Sequence, residues 1–357
     1  MQKINLKINE KQKNYTIFIG TKIIKNLASL IDCANYSNAL IVADTNIPKV
    51  LLEQLQLALL IKSFKVSLPG GDNQKNIENV QKIWQALVNF GCDRKSLVIN
   101  IGGGMIGDLG GFAAATHMRG IDFLQIPTTL LSQVDASVGG KLGINFLQIK
   151  NLIGSFQQPI AVIIDVDTLA SLPKREFISG FAEIIKHGAI VDKNYFQDVT
   201  SKKPQDYSQE ELIEIIRKSC EIKASIVSGD EKENNSRKLL NFGHTIGHAI
   251  ESLSLETPSP LLHGEAVSIG MFVEARISQI LGLISTPDLE LIKQVLINAN
   301  LPISPSRYKT NKILDKIKSD KKNVSGKINF TLLKSIGQAI YNQTPSESII
   351  LQALKGD

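Results

Sequence analysis

Short runs rich in β-branched residues alternate with amphipathic helical patterns through the first half of this 357-residue chain. One such amphipathic stretch extends from Ile77 to Phe90. Strand and helix in alternation predict a largely parallel sheet whose connections are helical crossovers. The runs predicted to be strands are residues 4–8, 15–20, 39–45, 63–69, 96–102, 123–129 and 161–167.

The β pattern fades after residue 177, and residues 180–299 are almost continuously helical in pattern apart from breaks near Gly229 and Pro258. A chain of this length exceeds what one hydrophobic core usually supports, so two domains are expected. We therefore predict an α/β protein with an N-terminal, mainly parallel-sheet domain at residues 1–178 and an all-helical C-terminal domain at residues 179–357.

Composition places the chain among globular proteins, since 43% of its residues are hydrophobic and 21% are charged. The longest weakly polar stretch, residues 96–118, is interrupted by six glycines and Asp108. No signal peptide and no membrane-spanning segment are therefore predicted. Three cysteines, Cys33, Cys92 and Cys220, are odd in number and lack metal-like spacing, which favours a reducing cytoplasm over a disulfide framework.

The chain is basic, with a formal net charge of +6. Its basic residues are not interleaved with aromatic ones and no recognition motif is present, so a nucleic-acid partner is not predicted. Four lysines lie beside glycines or inside apolar runs, where they would suit a small substrate with several negative charges. These are Lys141, Lys150, Lys186 and Lys223.

A polar stripe is predicted in the segment RKLLNFGHTIGHAIE, residues 237–251. If this segment is one helix, Arg237, Asn241, His244 and His248 lie within about 60° of one another around its axis. The other positions are mostly apolar, as in a helix buried in a core, so the stripe would line an internal cleft. An exposed polar face is the alternative, but four aligned groups favour a site.

Residues elsewhere could complete a metal site with these histidines. His263 opens the segment HGEAVSIGM, and Glu183 lies in GFAEIIKHGAI with Lys186 one helical turn further on. Two imidazoles and a carboxylate suit Zn2+, and three protein ligands would leave an open coordination position for substrate. Spacing alone does not decide whether His244 pairs with His248 or with His263.

A glycine-rich loop follows the strand run at residues 96–102 and precedes a helix of small residues. Gly102, Gly104 and Gly107 satisfy the G-x-G-x-x-G spacing, which can hold a pyrophosphate at a helix N-terminus. Tight helix-on-sheet packing explains the same glycines, and an ordinary Rossmann dehydrogenase fits poorly because no acidic residue follows at ribose distance. Asp44 and Asn46, just past the first parallel strand, could contact a ribose or adenine.

The next segment, IPTTLLSQVDASVGGKLGIN at residues 126–145, combines polar side chains with paired glycines. Glycines allow a close approach of the backbone to a ligand, whereas a solvent loop would not require the acidic, basic and amide groups that accompany them. The candidate binding residues here and just beyond are Thr128, Thr129, Asp135, Ser137, Lys141, Lys150 and Asn151.

Taken together, these segments resemble the 3-dehydroquinate synthases, which belong to the sugar phosphate cyclases. The matching motifs occur in family order over residues 44–327. They are GGGMIGD, IPTTLLSQVDASVGGKLGIN, KNLIGSF, GFAEIIKHG, NFGHTIGHAIE, HGEAVSIGM and DKKNVSGK. The resemblance implies an α/β domain that binds NAD and a helical domain that carries a divalent metal, with the active site between them.

The resemblance also assigns roles to individual residues. The metal, Zn2+ or Co2+, is expected on Glu183, His244 and His263. Substrate is expected on Asp135, Lys141, Asn151, Lys186, Lys223, Arg237, Asn241 and His248. NAD is expected on Asp44, Asn46, Asp72, Lys75, Gly104, Met105, Ile106, Gly107, Asp108, Thr128, Thr129, Lys141, Lys150, Thr168 and Ser171. A homodimer is implied, in which Arg119 reaches the neighbouring subunit's active site; helix capping is the other interpretation of this arginine.

The implied reaction converts 3-deoxy-D-arabino-heptulosonate 7-phosphate to 3-dehydroquinate and phosphate, with NAD reduced and reoxidised in each turnover. One segment departs from the family pattern, because GGDNQK carries Asp72 where the family has glutamate and Gln74 where it has tyrosine. Two other enzymes remain possible. They are a metal-dependent dehydrogenase of the glycerol dehydrogenase type and a cyclase whose substrate lacks a carboxylate. A non-enzymatic binding module would leave the metal and lysine groups unexplained.

Overall fold

The structure, a computed structural model, describes residues 1–6, 14–147, 149–318 and 328–355. It divides into two compact units, Met1–Leu172 with Leu212–Ser228, and Pro173–Glu211 with Gly229–Asp357. The sequence predicts a single domain boundary between residues 178 and 179, whereas the first unit also includes Leu212–Ser228, which is most of a later helix. That helix contributes Cys220, whose Sγ donates to the Gln133 carbonyl at 3.3 Å, and Lys223, which pairs with Asp135.

The first unit is built on a seven-stranded sheet in the order β1-β2-β9-β6-β5-β3-β4. All neighbours are parallel except β1 and β2. A separate antiparallel hairpin is formed by β7 and β8. The strands are β1 (Gln2–Leu6), β2 (Tyr15–Gly20), β3 (Ala39–Asp44), β4 (Ser63–Leu68), β5 (Leu97–Gly102), β6 (Asp122–Pro127), β7 (Lys141–Phe146), β8 (Ile149–Phe156) and β9 (Ala161–Asp165).

The central strands explain why this sheet forms. Every residue of β5 is buried, as are the first five of β3, because helices cover both faces and the runs are apolar throughout. Helix α1 (Lys49–Ala58) packs on one face, and α2 (Ile77–Asn89) and α3 (Gly104–Thr116) pack on the other. The chain thus changes face between β3 and β5, which places a crevice at their carboxyl ends.

The second unit is largely helical. Its helices are α4 (Lys174–Val191), α5 (Lys193–Thr200), α7 (His244–Ser254), α8 (His263–Ile280), α9 (Thr286–Asn298), α10 (Thr310–Lys318) and α11 (Glu347–Lys355); α6 (Gln209–Gly229) lies mostly in the first unit. The core packs Ile246, Ile250, Ile269 and Val273 of α7 and α8 against α10 and α11.

One element of this unit differs from the all-helical prediction, a hairpin of β10 (Phe330–Ser335) and β11 (Gln338–Gln343). Phe330 and Leu332 enter the apolar core, and Gly337 in the turn has φ +87°, which favours glycine. The two-residue connection produces a tight β-turn rather than a helix. The family motif DKKNVSGK, residues 320–327, lies outside the described residues.

The sheet strands lie where the sequence predicts them, although residues 7 and 8 of the first run are outside the described residues. The β7–β8 hairpin was not predicted, because its glycines and lysine indicated a ligand-binding turn. Within the residues described, no helix combines the length and apolarity needed to cross a membrane.

Candidate active site

The segment 237–251 is not one continuous helix, so the prediction of a single polar stripe is wrong. A 3₁₀ turn covers Ser236–Asn241, and α7 begins at His244. Gly243 between them has φ +79°, and a Cβ atom there would lie 2.6 Å from Met271 Cγ. The carboxylate of Glu274 accepts hydrogen bonds from the Gly243 and Ile246 amides at 2.6 and 3.1 Å, which caps a new helix at this point.

The break brings His244 into a cluster with Glu183 and His263. Glu183 lies in the middle of α4, while His244 and His263 are the first residues of α7 and α8. Glu183 Oε1 lies 3.6 Å from His244 Nε2 and 3.7 Å from His263 Nε2. Ligand atoms around a tetrahedral Zn2+ are separated by about 3.3 Å, so the three groups fit a divalent ion with little adjustment.

The cluster is also electrostatically suited to a cation. Glu183 is fully buried and forms an ion pair with the equally buried Lys186. Burial alone would lower the pKa of His263, but the carboxylates of Glu183 and Glu251 outweigh it and raise the pKa to about 10. Buried negative charge that stabilises a protonated imidazole will also stabilise a metal ion in its place.

His248 lies one turn after His244 on α7, with its ring centroid 5.0 Å from His244 and 5.9 Å from His263. With His263 and Glu251 it forms a second group whose ligand atoms are close enough to hold an ion. The structure therefore brings His244 near both histidines that the spacing left open, and the assignment of His248 to substrate stays a prediction.

Arg237 and Asn241 are held by the segment that precedes the 3₁₀ turn. Arg237 is buried, its Nη1 donates to the Glu231 carbonyl at 2.6 Å, and its amide donates to Asp230 Oδ2 at 3.0 Å. Asn241 Nδ2 donates to Glu233 Oε1 at 2.6 Å. The two side chains are positioned by the loop that follows Gly229, where the sequence predicts a break in the helical pattern.

The glycine loop supports both interpretations of its glycines. A Cβ atom on Gly107 would lie 2.9 Å from Gln125 Oε1, so the helix packs closely on the sheet. At the same time α3 begins at Gly104 directly after β5, without a side-chain cap, and presents amide groups at the carboxyl edge of the sheet. The Ile106 side chain is buried in the core, which leaves only its backbone available to a ligand.

Further predicted NAD contacts lie at the same edge, after β3, β6 and β9. Asp44 ends β3, and its Oδ1 accepts from the Asn46 amide at 2.8 Å. The Thr129 hydroxyl bonds to Ser132 at 2.9 Å after β6. The hydroxyl of the buried Thr168 donates to the Asp165 carbonyl at 2.7 Å, and the Ser171 hydroxyl donates to the Thr168 carbonyl at 3.2 Å.

The altered segment GGDNQK is tied to the β7–β8 hairpin. Lys150 Nζ lies 3.0 Å from Asp72 Oδ2, and the Asn145 amide donates to the Lys75 carbonyl at 2.8 Å. Lys75 also forms an ion pair with Asp108 in the first turns of α3 and a hydrogen bond to Asn151. Five predicted ligand-binding residues, Asp72, Lys75, Asp108, Lys150 and Asn151, thus form one network across turn, helix and hairpin.

Asp135 and Lys223 form a second charged pair in the first unit. Asp135 lies in a π-helical turn, Ser132–Ala136, and its Oδ1 is 2.5 Å from Lys223 Nζ on α6. Lys141 is exposed at the start of β7, and Arg119 is exposed in the turn His117–Arg119 after α3. Glu251 and Gln125 are not among the predicted site residues, although Glu251 follows His244 and His248 at helical spacing, which is a signal for it in the sequence.

Comparison with known proteins gives matches across the whole chain. A family model described as 3-dehydroquinate synthase N-terminal matches residues 65–179, and one described as 3-dehydroquinate synthase C-terminal matches residues 180–323. The 3-dehydroquinate synthase of Thermoanaerobacter pseudethanolicus is 42% identical over 354 residues, covering 98% of this chain and 99% of that protein.

Solved structures share the fold. A 2-deoxy-scyllo-inosose synthase with carbaglucose-6-phosphate, NAD+ and Co2+ has a TM-score of 0.89 at 24% identity and covers 99% of both chains. The 2-epi-5-epi-valiolone synthase of Streptomyces hygroscopicus, with NAD+ and Zn2+ bound, has a TM-score of 0.87 at 25% identity and covers 97% of both. With both family models matched and a full-length relative at this identity, the chain belongs to the 3-dehydroquinate synthase family.

Proposed function

We propose that this protein is a 3-dehydroquinate synthase, a carbon–oxygen lyase that converts 3-deoxy-D-arabino-heptulosonate 7-phosphate to 3-dehydroquinate and phosphate with catalytic NAD and one divalent metal ion. The observation that carries the proposal is the cluster of Glu183, His244 and His263, held on three helices of a chain that matches the family in both halves. We assign NAD to residues 1–178 and the metal to residues 179–357.

The residues present fit both cofactors. Two imidazoles and a buried carboxylate are a donor set for Zn2+ or Co2+, and the glycine loop at the start of α3 offers amides to a pyrophosphate. When bound, the metal would supply a Lewis acid and NAD a hydride acceptor. Lys186 then neutralises part of the charge on Glu183, and His248 and Asn241 orient substrate hydroxyl groups.

The substrate would carry a carboxylate and a phosphate, which require several cations. We assign these anions to the lysine and arginine set, Lys141, Lys186, Lys223 and Arg237. Asp135 would accept hydrogen bonds from the sugar hydroxyls, and Asn151 would both accept and donate hydrogen bonds with them. Because Lys223 already neutralises Asp135, substrate binding would exchange one anionic partner for another at this lysine.

Two rival functions are separated by one experiment. A glycerol-dehydrogenase-type enzyme consumes NAD stoichiometrically, and a cyclase for a substrate without a carboxylate has no need of Arg237, Asn241 and Lys223 together. The proposed synthase regenerates NAD in each turnover. A small amount of NAD, well below the amount of substrate, should therefore support the formation of many product molecules.

The test measures phosphate release from the heptulosonate phosphate with limiting NAD, while absorbance of reduced nicotinamide is followed. We expect phosphate in large excess over NAD and no sustained growth of NADH. Sustained NADH production from a polyol, together with no phosphate release, would establish the dehydrogenase instead. Release from a heptulose phosphate that lacks the carboxylate, at an equal rate, would establish the other cyclase.

We also propose that the enzyme is a homodimer. The resemblance implies it, and the β7–β8 hairpin supports it because that hairpin exposes apolar side chains that an isolated chain would leave in water. These side chains, 39–75% exposed, are Phe146, Leu147, Ile149, Leu152, Ile153 and Phe156. In this dimer Arg119 would bind substrate phosphate in the neighbouring subunit.

Mixed dimers test the role of Arg119. Subunits with Arg119→Ala and subunits with Lys186→Ala should each form nearly inactive homodimers. A mixed dimer should regain up to about half of wild-type activity, because one of its two sites draws both groups from unmutated chains. Mixed dimers no more active than either parent would confine Arg119 to its own subunit and favour helix capping.

A further inference from the structure

The two ring nitrogens of His263 face two different carboxylates. Its Nε2 lies 3.7 Å from Glu183 Oε1, and its Nδ1 lies 3.5 Å from Glu251 Oε2. An imidazole that binds a metal through one nitrogen carries its proton on the other nitrogen. Glu251 therefore stands where it can accept that proton's hydrogen bond, while Nε2 stays directed at the position between Glu183 and His244.

His244 shows the same arrangement with a different acceptor. Its Nε2 is 3.6 Å from Glu183 Oε1, and its Nδ1 is 3.1 Å from the Phe242 carbonyl oxygen. Both histidines thus present Nε2 to the cluster and anchor Nδ1 outside it. The two anchors differ in charge, because the partner of His244 is a neutral carbonyl and the partner of His263 is a carboxylate.

The surroundings of Glu251 favour an electrostatic role. The residue is buried on α7, seven positions after His244, and its carboxylate reaches the first residue of α8. Burial of a carboxylate is costly unless it is paired, so a partner that donates a proton or carries positive charge is required at this place. Contact with His263 supplies that partner and fixes the ring where α8 begins.

We propose that Glu251 is a positioning residue for the metal, accepting a hydrogen bond from His263 Nδ1 and so fixing the tautomer that directs the Nε2 lone pair at the ion. This inference rests on the metal site of the proposed function and deepens it. A carboxylate acceptor also makes the imidazole a stronger donor than a carbonyl acceptor does. His263 would therefore donate its Nε2 lone pair to the ion more strongly than His244 does.

A competing arrangement would make Glu251 a ligand itself. His248, Glu251 and His263 also lie close enough together to hold an ion, and that site would use Nδ1 of His263 instead of Nε2. The ligand and positioning roles differ in consequence. Loss of a ligand removes the ion or changes its coordination geometry, whereas loss of a hydrogen-bonded carboxylate behind a histidine lowers affinity by about 10- to 100-fold.

The test compares Glu251→Gln and Glu251→Leu with wild type and with Glu265→Gln as a control. Gln retains a neutral acceptor like the carbonyl that holds His244, and Leu retains none. Glu265 lies on α8 two residues after His263, but its carboxylate contacts Arg175 and the Leu262 amide instead. Zn2+ affinity is measured by competition with a chelating indicator, and Co2+ geometry by visible absorption, both without substrate.

We expect about a 10-fold loss of Zn2+ affinity for Glu251→Gln, about a 100-fold loss for Glu251→Leu, and wild-type affinity for Glu265→Gln. The Co2+ spectrum should keep its tetrahedral intensity in both Glu251 variants. Unchanged affinity in both variants would show a purely structural residue and overturn the proposal. Loss as complete as in His263→Ala, with an altered Co2+ spectrum, would make Glu251 a ligand and overturn it as well. If the expected metal pattern holds but no phosphate is released, the proposed reaction fails and the role of Glu251 stands.

Discussion

The metal cluster of the second unit and the ligand-binding edge of the first unit are assembled in different ways. Glu183, His244 and His263 come from three packed helices, and their ligand atoms already converge on one point. The edge of the sheet gathers its polar groups from turns and a hairpin, where cations are already paired with carboxylates, as in Lys75 with Asp108. If these regions bind the metal and NAD as proposed, the metal cluster is organised before binding, whereas the sheet edge must exchange partners.

The difference has a physical origin. Side chains on packed helices are held by many neighbours, so a metal ion meets donors that need little rearrangement. At the sheet edge, buried cations cannot stay unpaired, and neighbouring carboxylates neutralise them until an anionic ligand replaces those carboxylates. Single substitutions should therefore be severe in the metal cluster and milder at the edge, in proportion to how buried each pair is.

The largest effect is expected from His263→Ala. This variant should lose the metal and all measurable synthase activity, because two remaining ligands do not hold a catalytic ion. His248→Ala should keep one metal ion per chain while its turnover falls by about 10²- to 10⁴-fold, the range of a lost proton-transfer group. Metal content of the purified proteins, measured by elemental analysis, checks both expectations.

The contrary result is as clear. If His248→Ala loses the metal and His263→Ala keeps it, the ion is bound by His248 and not by His263. The helical site would then be less preorganised than its geometry indicates, because the ion would have to displace His263 from Glu183. Thermal unfolding of the metal-free variants serves as the control: His248→Ala should stay within a few degrees of metal-free wild type, and His263→Ala should unfold cooperatively but at a lower temperature, because Glu183 and Glu251 lose a cationic partner.

An intermediate effect is expected from Lys75→Met at the sheet edge. The substitution leaves Asp108 without its ammonium partner at the start of α3, where the NAD pyrophosphate is proposed to bind. Loss of a charged hydrogen bond costs about 1.5–3 kcal/mol, which is roughly a 10- to 150-fold weaker binding of NAD. Fluorescence titration with NADH measures the change, and exposed Lys95→Met is the matched control with no loss expected.

Equal NADH affinity in Lys75→Met and Lys95→Met would mean that the dinucleotide does not use this network. The Zn2+ affinity of the Lys75 variant should stay at its wild-type value in either case. That second measurement separates a local loss at the edge from general unfolding, which would lower both affinities.

The sequence predicted much of this molecule, for reasons that differ between regions. The central strands are buried on both faces and are therefore apolar throughout. An uninterrupted apolar run such as residues 97–102 is thus enough to predict a buried strand. The break at Gly243 was missed, since the helical pattern continues through it while the close approach of Met271 depends on a distant part of the chain. Glu251 has a local signal in its helical spacing from His244 and His248, but its contact with His263 has none, because α8 begins in another part of the chain.

The smallest effect is expected at Asp72, one of the two residues of GGDNQK at which the resemblance implies a departure from the family pattern. The Asp72–Lys150 pair is partly exposed, with side chains 49% and 35% accessible, and such pairs contribute about 0–1 kcal/mol. Asp72→Asn should weaken NADH binding by no more than about 5-fold, and Asp72→Glu, which restores the longer family acid, should bind at least as tightly as wild type. A loss of NADH affinity for Asp72→Asn as large as that for Lys75→Met would show that a half-exposed residue at the sheet edge is as strongly coupled to the dinucleotide as a buried one. Burial of an ion pair would then not predict the size of the effect within the sheet edge.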